Sequence, residues 1–167
     1  CQVSTALYRT ALLGGLDIAE RNAAVRPVGY CPMGQEAAVS DQGLDLRISN
    51  QTDAKLFLAT RVYADNDDTF LEIMMIGEGL DTRYALESSV NELPLIEEPV
   101  YVRDREGRYA TYTDERVPVG DALPGYEVSV ARVTLDANGE ETSRESISQH
   151  VYEAAAPMIY VGVTERE

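Results

Sequence analysis

Cys1-Gln2-Val3-Ser4-Thr5-Ala6-Leu7-Tyr8-Arg9-Thr10-Ala11-Leu12-Leu13 opens the chain and decides how its first half is read. Ser4 and Thr5 are helix-start residues, because their hydroxyls accept a hydrogen bond from a free first-turn N–H. Leu7, Ala11, Leu12 and Ile18 recur at helical spacing and predict a core-facing stripe. Gly14-Gly15 falls inside this pattern at a cost of roughly 1 kcal/mol per glycine against alanine. The helix is expected to end near Arg21-Asn22, before Pro27. A thiol just ahead of such a helix lies at the positive end of its dipole, which makes Cys1 a nucleophile candidate. The plainer reading is a buried or disulfide-bonded cysteine.

The surroundings of that stretch are ordinary for a folded chain. Of 167 residues, 44% are hydrophobic and 26% charged, enough for one domain or two small ones. The formal net charge of −15 repels a nucleic acid duplex or an anionic membrane, so nucleic acid is excluded as a partner. No run has the ~20 apolar residues of a membrane helix. The two cysteines, Cys1 and Cys31, suit one disulfide. It would close a loop of about 30 residues and contribute about 3–4 kcal/mol on a chain-entropy estimate. Two free thiols are the alternative.

Residues Pro27 to Gly34 hold two prolines and two glycines and read as a loop. Three strands are predicted next: Leu44 to Ser49, Leu56 to Ala64 and Phe70 to Ile76, with turns at 50–53 and 65–68. The simplest arrangement is an antiparallel meander packed on the first helix. Beyond Gly77 to Asp81 the texture changes to short β-rich runs: Pro99–Arg105, Tyr109–Val119, Tyr126–Leu135, Glu141–Val151 and Met158–Val163. Asp136-Ala137-Asn138-Gly139 is a hairpin signal, with Asn-Gly expected to supply positive φ angles. The fold class expected is therefore an α+β first half, a helix packed on an antiparallel β meander over residues 1–80. An elongated all-β module is expected over residues 81–167.

The first half resembles the C-terminal part of the VanW-like domain. The residues that carry the resemblance are Cys1-Gln2-Val3-Ser4-Thr5, Leu7-Tyr8-Arg9, Ala11-Leu12-Leu13, Gly15-Leu16, Glu20-Arg21 and Arg26-Pro27-Val28. Tyr30, Pro32, Gly34, Gly43-Leu44-Asp45-Leu46, Asn50 and Thr52 add to it. The resemblance implies a bacterial, exported protein linked to the cell envelope. Relatives often carry a histidine just after the Glu-Arg pair, where this chain has Asn22, Ala23 and Ala24. Cys31 stands where the family more often has another residue, which favours a local disulfide with Cys1. Residues Glu87 to Val163 resemble the G-five domain, an extracellular β-module, with Gly107, Gly120, Gly125, Gly139 and Gly162 as counterparts of its glycines. That resemblance implies a cell-wall or adhesion setting, with sugar as the ligand class.

The remaining candidates divide between chemistry and packing. Asp65, Asp67 and Asp68 lack the glycine and glutamate of a calcium loop and read as a solvated turn. His150, the single histidine, has no partner set for zinc and reads as an exposed strand position. Tyr101, Tyr109, Tyr112 and Tyr126 are the candidates for glycan or partner contact, with packing as the plainer role. Glu97-Glu98 and Asp114-Glu115 read as solvated charges. No metal site and no cofactor is expected.

The function expected is an envelope or cell-surface module that docks on a partner chain or wall polymer. The expected partner is an upstream fragment of the same domain or another envelope protein. Peptidoglycan or another glycan is a further candidate ligand. The alternative is a cysteine-dependent or self-processed envelope protein. In that reading cleavage before Cys1 frees an α-amine to act as base for its thiol. A lipoprotein, with Cys1 modified, ranks last because a helix follows the cysteine without a polar tether.

Overall fold

The structure is a computed structural model that describes residues 1–166. It is mostly β, with one short helix among the described residues. The elements are α1 (Gln2–Leu13), β1 (Asp17–Glu20), β2 (Arg47–Ser49), β3 (Phe57–Asp65), β4 (Asp68–Ile76), β5 (Arg83–Leu93), β6 (Val100–Asp104), β7 (Arg116–Gly120), β8 (Gly125–Leu135), β9 (Glu141–Tyr152) and β10 (Met158–Gly162). No described helix is long and apolar enough to cross a membrane.

The chain forms two compact units, each discontinuous in sequence. The first takes residues 1–90 and 128–150, the second 91–127 and 151–166. Neither unit has a boundary at residue 80, where the texture of the sequence changes. The long strands β5, β8 and β9 form one sheet in the order β5-β8-β9, and the unit boundary falls inside each of them. Sequence texture follows local composition, whereas sheet pairing joins segments far apart in the chain.

In the first unit α1 stops at Leu13, earlier than its apolar pattern suggests. Gly15 takes φ 75°, and the N–H groups of Gly14, Gly15 and Leu16 close the last turn onto Thr10, Leu12 and Ala11 carbonyls. A left-handed glycine after the last turn terminates a helix. Ile18, expected on the helix, lies on β1 instead and pairs with Ile48 of β2. Thr5, Tyr8, Ala11 and Leu12 are the buried face of α1. Tyr8, Leu12 and Ala37 form the core cluster, with Ile18, Leu46, Leu86 and Ile147 packed against it. Burying a leucine such as Leu12 contributes about 1.5–3 kcal/mol.

The expected three-stranded meander is not formed. β2 pairs antiparallel with β1, and β3 pairs antiparallel with β4 as a separate ribbon. β2 is also shorter than the predicted Leu44–Ser49 run, because the Asp45 carboxylate takes the Leu46 N–H at 2.8 Å. β3 and β4 match their predicted runs, and Asp65–Asp68 is the hairpin turn, with Asn66 at φ 54°. β5 has no counterpart among the predicted runs. The β8–β9 hairpin forms at Asp136–Glu140, with Asp136 Oδ1 accepting from the N–H groups of Asn138 and Glu140. Only Gly139 there carries a positive φ, so Asn138 does not supply one as expected.

In the second unit β10 is the centre of a three-stranded sheet, parallel to β6 and antiparallel to β7. Of the predicted Tyr109–Val119 run only Arg116–Gly120 is a strand. Asp104 explains part of this: its Oδ2 accepts from Tyr109 N at 2.6 Å and Ala110 N at 3.0 Å. Those donors are committed to a carboxylate-capped loop instead of a ladder.

Candidate functional site

Cys1 is the N-cap residue of α1 and is exposed. Its thiol donates to the Val39 carbonyl at 3.7 Å. Neither Ser4 nor Thr5 caps the helix. Ser4 Oγ lies 2.9 Å from the Cys1 carbonyl and 2.7 Å from that of Ala37, and Thr5 Oγ1 accepts from Ala37 N at 3.0 Å. These hydroxyls tie α1 to the segment around Ala37. Cys31 is half-buried, and both cysteines are free thiols. The Cys1–Cys31 bridge is thus absent from this structure, with the Cys1 sulfur turned to Val39 and Cys31 lining a cavity on the flank of α1. His150 is half-buried on β9, not exposed as expected.

That cavity has a volume of about 500 Å³. Gln2, Thr5, Ala6 and Arg9 line one wall, at the spacing that places residues on one helix face. Cys31 and the start of β4 from Asp68 to Leu71 also line the cavity. Burial pushes the Cys31 thiol up from its ordinary pKa, and the Glu36 charge adds to that; Arg9 and Arg21 pull it down. Arg9 Nε is buried with no protein acceptor in reach. Sequence reading marked Cys31 but not Arg9, whose position on the face of Gln2 and Thr5 was the available signal.

Behind α1 a buried ion pair holds the loop after Pro27 in place. Arg21 Nη2 meets Glu36 Oε1 at 3.1 Å, and the same guanidinium donates to the carbonyls of Gly34 and Glu36 at 2.8 Å each. Its carbon stands 5.4 Å from the centre of the Tyr8 ring. Burial raises the Tyr8 phenol above its ordinary pKa. Glu36 gave no sign in the sequence, being fifteen residues from Arg21 in an irregular segment. A second arginine, Arg132, donates to the carbonyls of Leu12 and Leu16 at 3.3 and 3.1 Å, and so caps the end of α1.

The four candidate tyrosines all fall in the second unit but share no single face. Tyr101 pairs with Ile159 and Val102 with Tyr160, so alternation puts Tyr101 and Tyr160 on opposite faces. Tyr109, 51% exposed, packs on Tyr160 with ring centres 4.8 Å apart, while Tyr101 is 59% exposed on the other side. Tyr112 lies under the Arg166 guanidinium at 4.5 Å, and Tyr126 is half-buried on β8. Arg166 also bridges Asp114 and Glu115 at 3.1 Å each, so those acids are structural partners. Among the described residues no group of three or more His, Cys, Asp and Glu side chains is placed to hold a metal.

Parts of the chain are similar to known proteins. The family model of VanW, described as VanW like protein, matches residues 1–73. The uncharacterized protein YoaR of Bacillus subtilis (strain 168) is 36% identical over 63 residues, which are 38% of this chain and 21% of that protein. The chain therefore spans about a fifth of that relative. The G5 domain structure of IgA1 protease aligns over 52% of this chain and 93% of its own, at 20% identity and a TM-score of 0.29. The structure of HP0197-G5 aligns over 48% and 99%, at 15% identity and a TM-score of 0.22. The VanW like match opens this chain and stops at residue 73, so describing residues 1–80 as that domain's C-terminal part is set aside.

Proposed function

We propose that the chain is a bacterial cell-surface or wall-associated binding module that docks a protein partner along the β3–β4 ribbon. The observation that carries this reading is the outer edge of β3. The ribbon has two strands only, and β4 is the strand against α1: Thr10 Oγ1 reaches the Ile73 carbonyl at 3.3 Å. Leu71, Ile73 and Met75 of β4 are half-buried on the helix side. Leu58 and Val62 continue that apolar face onto β3, yet Val62 is 69% exposed. Phe57, 65% exposed, adds to the opposite face. A two-stranded ribbon is marginal alone, and an open apolar edge is a template for another strand. The partner is accordingly a β-forming protein segment that adds to β3. The surface setting rests on the VanW like match over residues 1–73 and on what that resemblance implies.

The test is capture from an envelope extract by the native chain and by Leu58→Asp, followed by hydrogen exchange on the recovered complex. The expected result is one protein retained by the native chain, lost with Leu58→Asp, and protecting the β3 amides. Retention by both chains, or protection elsewhere with β3 unchanged, overturns the reading.

A further inference from the structure

The outer edge of β3 is complementary to itself. β3 and β4 pair without a break from Phe57 and Ile76 to Asp65 and Asp68, with Asn66 and Asp67 in the turn. A two-residue turn is closed by a hydrogen-bonded pair, and such pairs alternate along the ladder. The backbone groups of Phe57, Ala59, Arg61 and Tyr63 therefore point to β4, and those of Leu58, Thr60 and Val62 point to the open edge. Edges that avoid partners carry charges, prolines or bulges. From Phe57 to Ala64 there is no proline and one charge, Arg61, which pairs with Glu72 of β4 at 2.7 Å.

We infer that the segment adding to β3 is the β3 of a second copy of this chain, antiparallel, with the two-fold axis at Thr60. Two marginal ribbons then join into one four-stranded sheet in the order β4-β3-β3-β4. The inference rests on the reading of β3 as a docking edge and names its occupant. In this register Thr60 faces Thr60, and Leu58 faces Val62 of the second copy, through the open backbone groups. Phe57 faces Tyr63 and Ala59 faces Arg61 at the intervening pairs, where side chains stand closest. Met75 and Leu58 continue into Val62 and Leu71 of the second copy as one apolar row. On the other face Ile76 and Phe57 continue into Tyr63 and Phe70 of the second copy, whose rings already stack with centres 5.4 Å apart. Two residues before β3, Lys55 comes opposite Asp65 of the second copy. Lys55 is the only lysine in the chain, and neither it nor Asp65 makes an ion pair among the described residues. Moving the axis to Arg61 would set that charge against its own copy, and moving it to Ala59 would set Arg61 against Phe57. The net charge of −15 opposes association, so low salt should weaken the dimer.

The test uses the full chain at about 0.15 M salt. Sedimentation over a range of concentrations should show a monomer–dimer equilibrium. Hydrogen exchange should show the Leu58, Thr60 and Val62 amides gaining protection with concentration, and those of Ala59 and Arg61 changing less. A carbodiimide, which joins an amine to a carboxylate as an amide, should link Lys55 to Asp65. Within one chain these residues sit about 30 Å apart along an extended strand, so the link reports a second copy. Leu58→Asp and Val62→Lys should each weaken self-association at least about tenfold. Mixed together, the two variants should form a heterodimer tighter than either variant with itself, because in this register the introduced acid faces the introduced base. A chain that is monomeric up to about 1 mM overturns the inference. So does a dimer whose β3 amides are unprotected or whose links avoid Lys55 and Asp65, and so does the absence of rescue between folded variants. Where a different envelope protein then still protects β3 in the capture experiment, the docking edge stands and only the second copy is excluded. Where β3 is unprotected there too, both readings fall.

Discussion

Arg21 and Glu36 meet at 3.1 Å with the glutamate side chain 1% exposed and the arginine 10%. Removing one partner of a buried pair leaves the other charge desolvated and alone, at a cost of about 3–5 kcal/mol. Glu36→Ala is therefore expected to lower the stability of the first unit by that order in urea unfolding. Replacing both residues by apolar ones of similar size should cost distinctly less. A Glu36→Ala chain as stable as the native one would show that the pair is not what holds the loop.

At Gly162 the chain runs close against the backbone of Thr111. A Cβ there would fall on the backbone of Thr111, whose carbonyl accepts from Val163 N at 3.1 Å and Thr164 N at 3.0 Å. Backbone cannot swing aside as a side chain can. Gly162→Ala should destabilise by about 1–3 kcal/mol or more. Gly120→Ala, whose new methyl would meet only the Met158 terminal methyl at 3.9 Å, should change stability by about 0.5 kcal/mol or less. Thermal unfolding of the two variants gives the comparison.

Asp104 makes the second unit acid-sensitive. Backbone N–H bonds from Tyr109 and Ala110 hold its carboxyl below the usual carboxylate range. A folded-state pKa below the unfolded one stabilises above the unfolded value of about 3.9 and loses that contribution as pH falls through the folded value. Asp104→Asn should remove this dependence. The native chain's advantage over the variant is expected to be constant above about pH 5 and to shrink below about pH 4. A gap that stays constant down to pH 2 would mean the carboxylate charge is not involved.

The two thiols should differ in reactivity. Cys1 is exposed, while Cys31 is half-buried with its pKa raised by burial and then by Glu36. A thiol reagent at neutral pH should modify Cys1 first and Cys31 slowly, because the thiolate is the reacting form. Both should react in unfolded protein without a reductant. No reaction until reductant is added would restore the disulfide.

Some of this architecture was legible in local pattern. β3, β4, β6, β8, β9 and β10 follow alternating runs bounded by turn residues, and the Asp65–Asp68 and Asp136–Gly139 turns carry their own chemistry. The end of α1 was misread because Ile18 keeps the helical rhythm after Gly15 has already broken the helix. β5 went unread because its run from Arg83 to Leu93 mixes polar residues into both faces. Of the candidate site, Cys31 was visible as a residue type. Arg9 was not, since nothing in a one-dimensional pattern sets it on the lining of the same cavity.

By itself the sequence determined the composition of a folded acidic chain, the position of its single described helix, and most of its strands. These depend on near neighbours: alternation, helical spacing, and turns closed by one aspartate or glycine. Only the tertiary structure decided which strands pair, that β10 lies parallel to β6, and that residues 128–150 complete the first unit. It also decided that Glu36 meets Arg21 while Arg9 Nε is buried without an acceptor among the described residues. Those outcomes are set by long-range pairing and by the cost of burying charge, and neither leaves a period in the sequence to read.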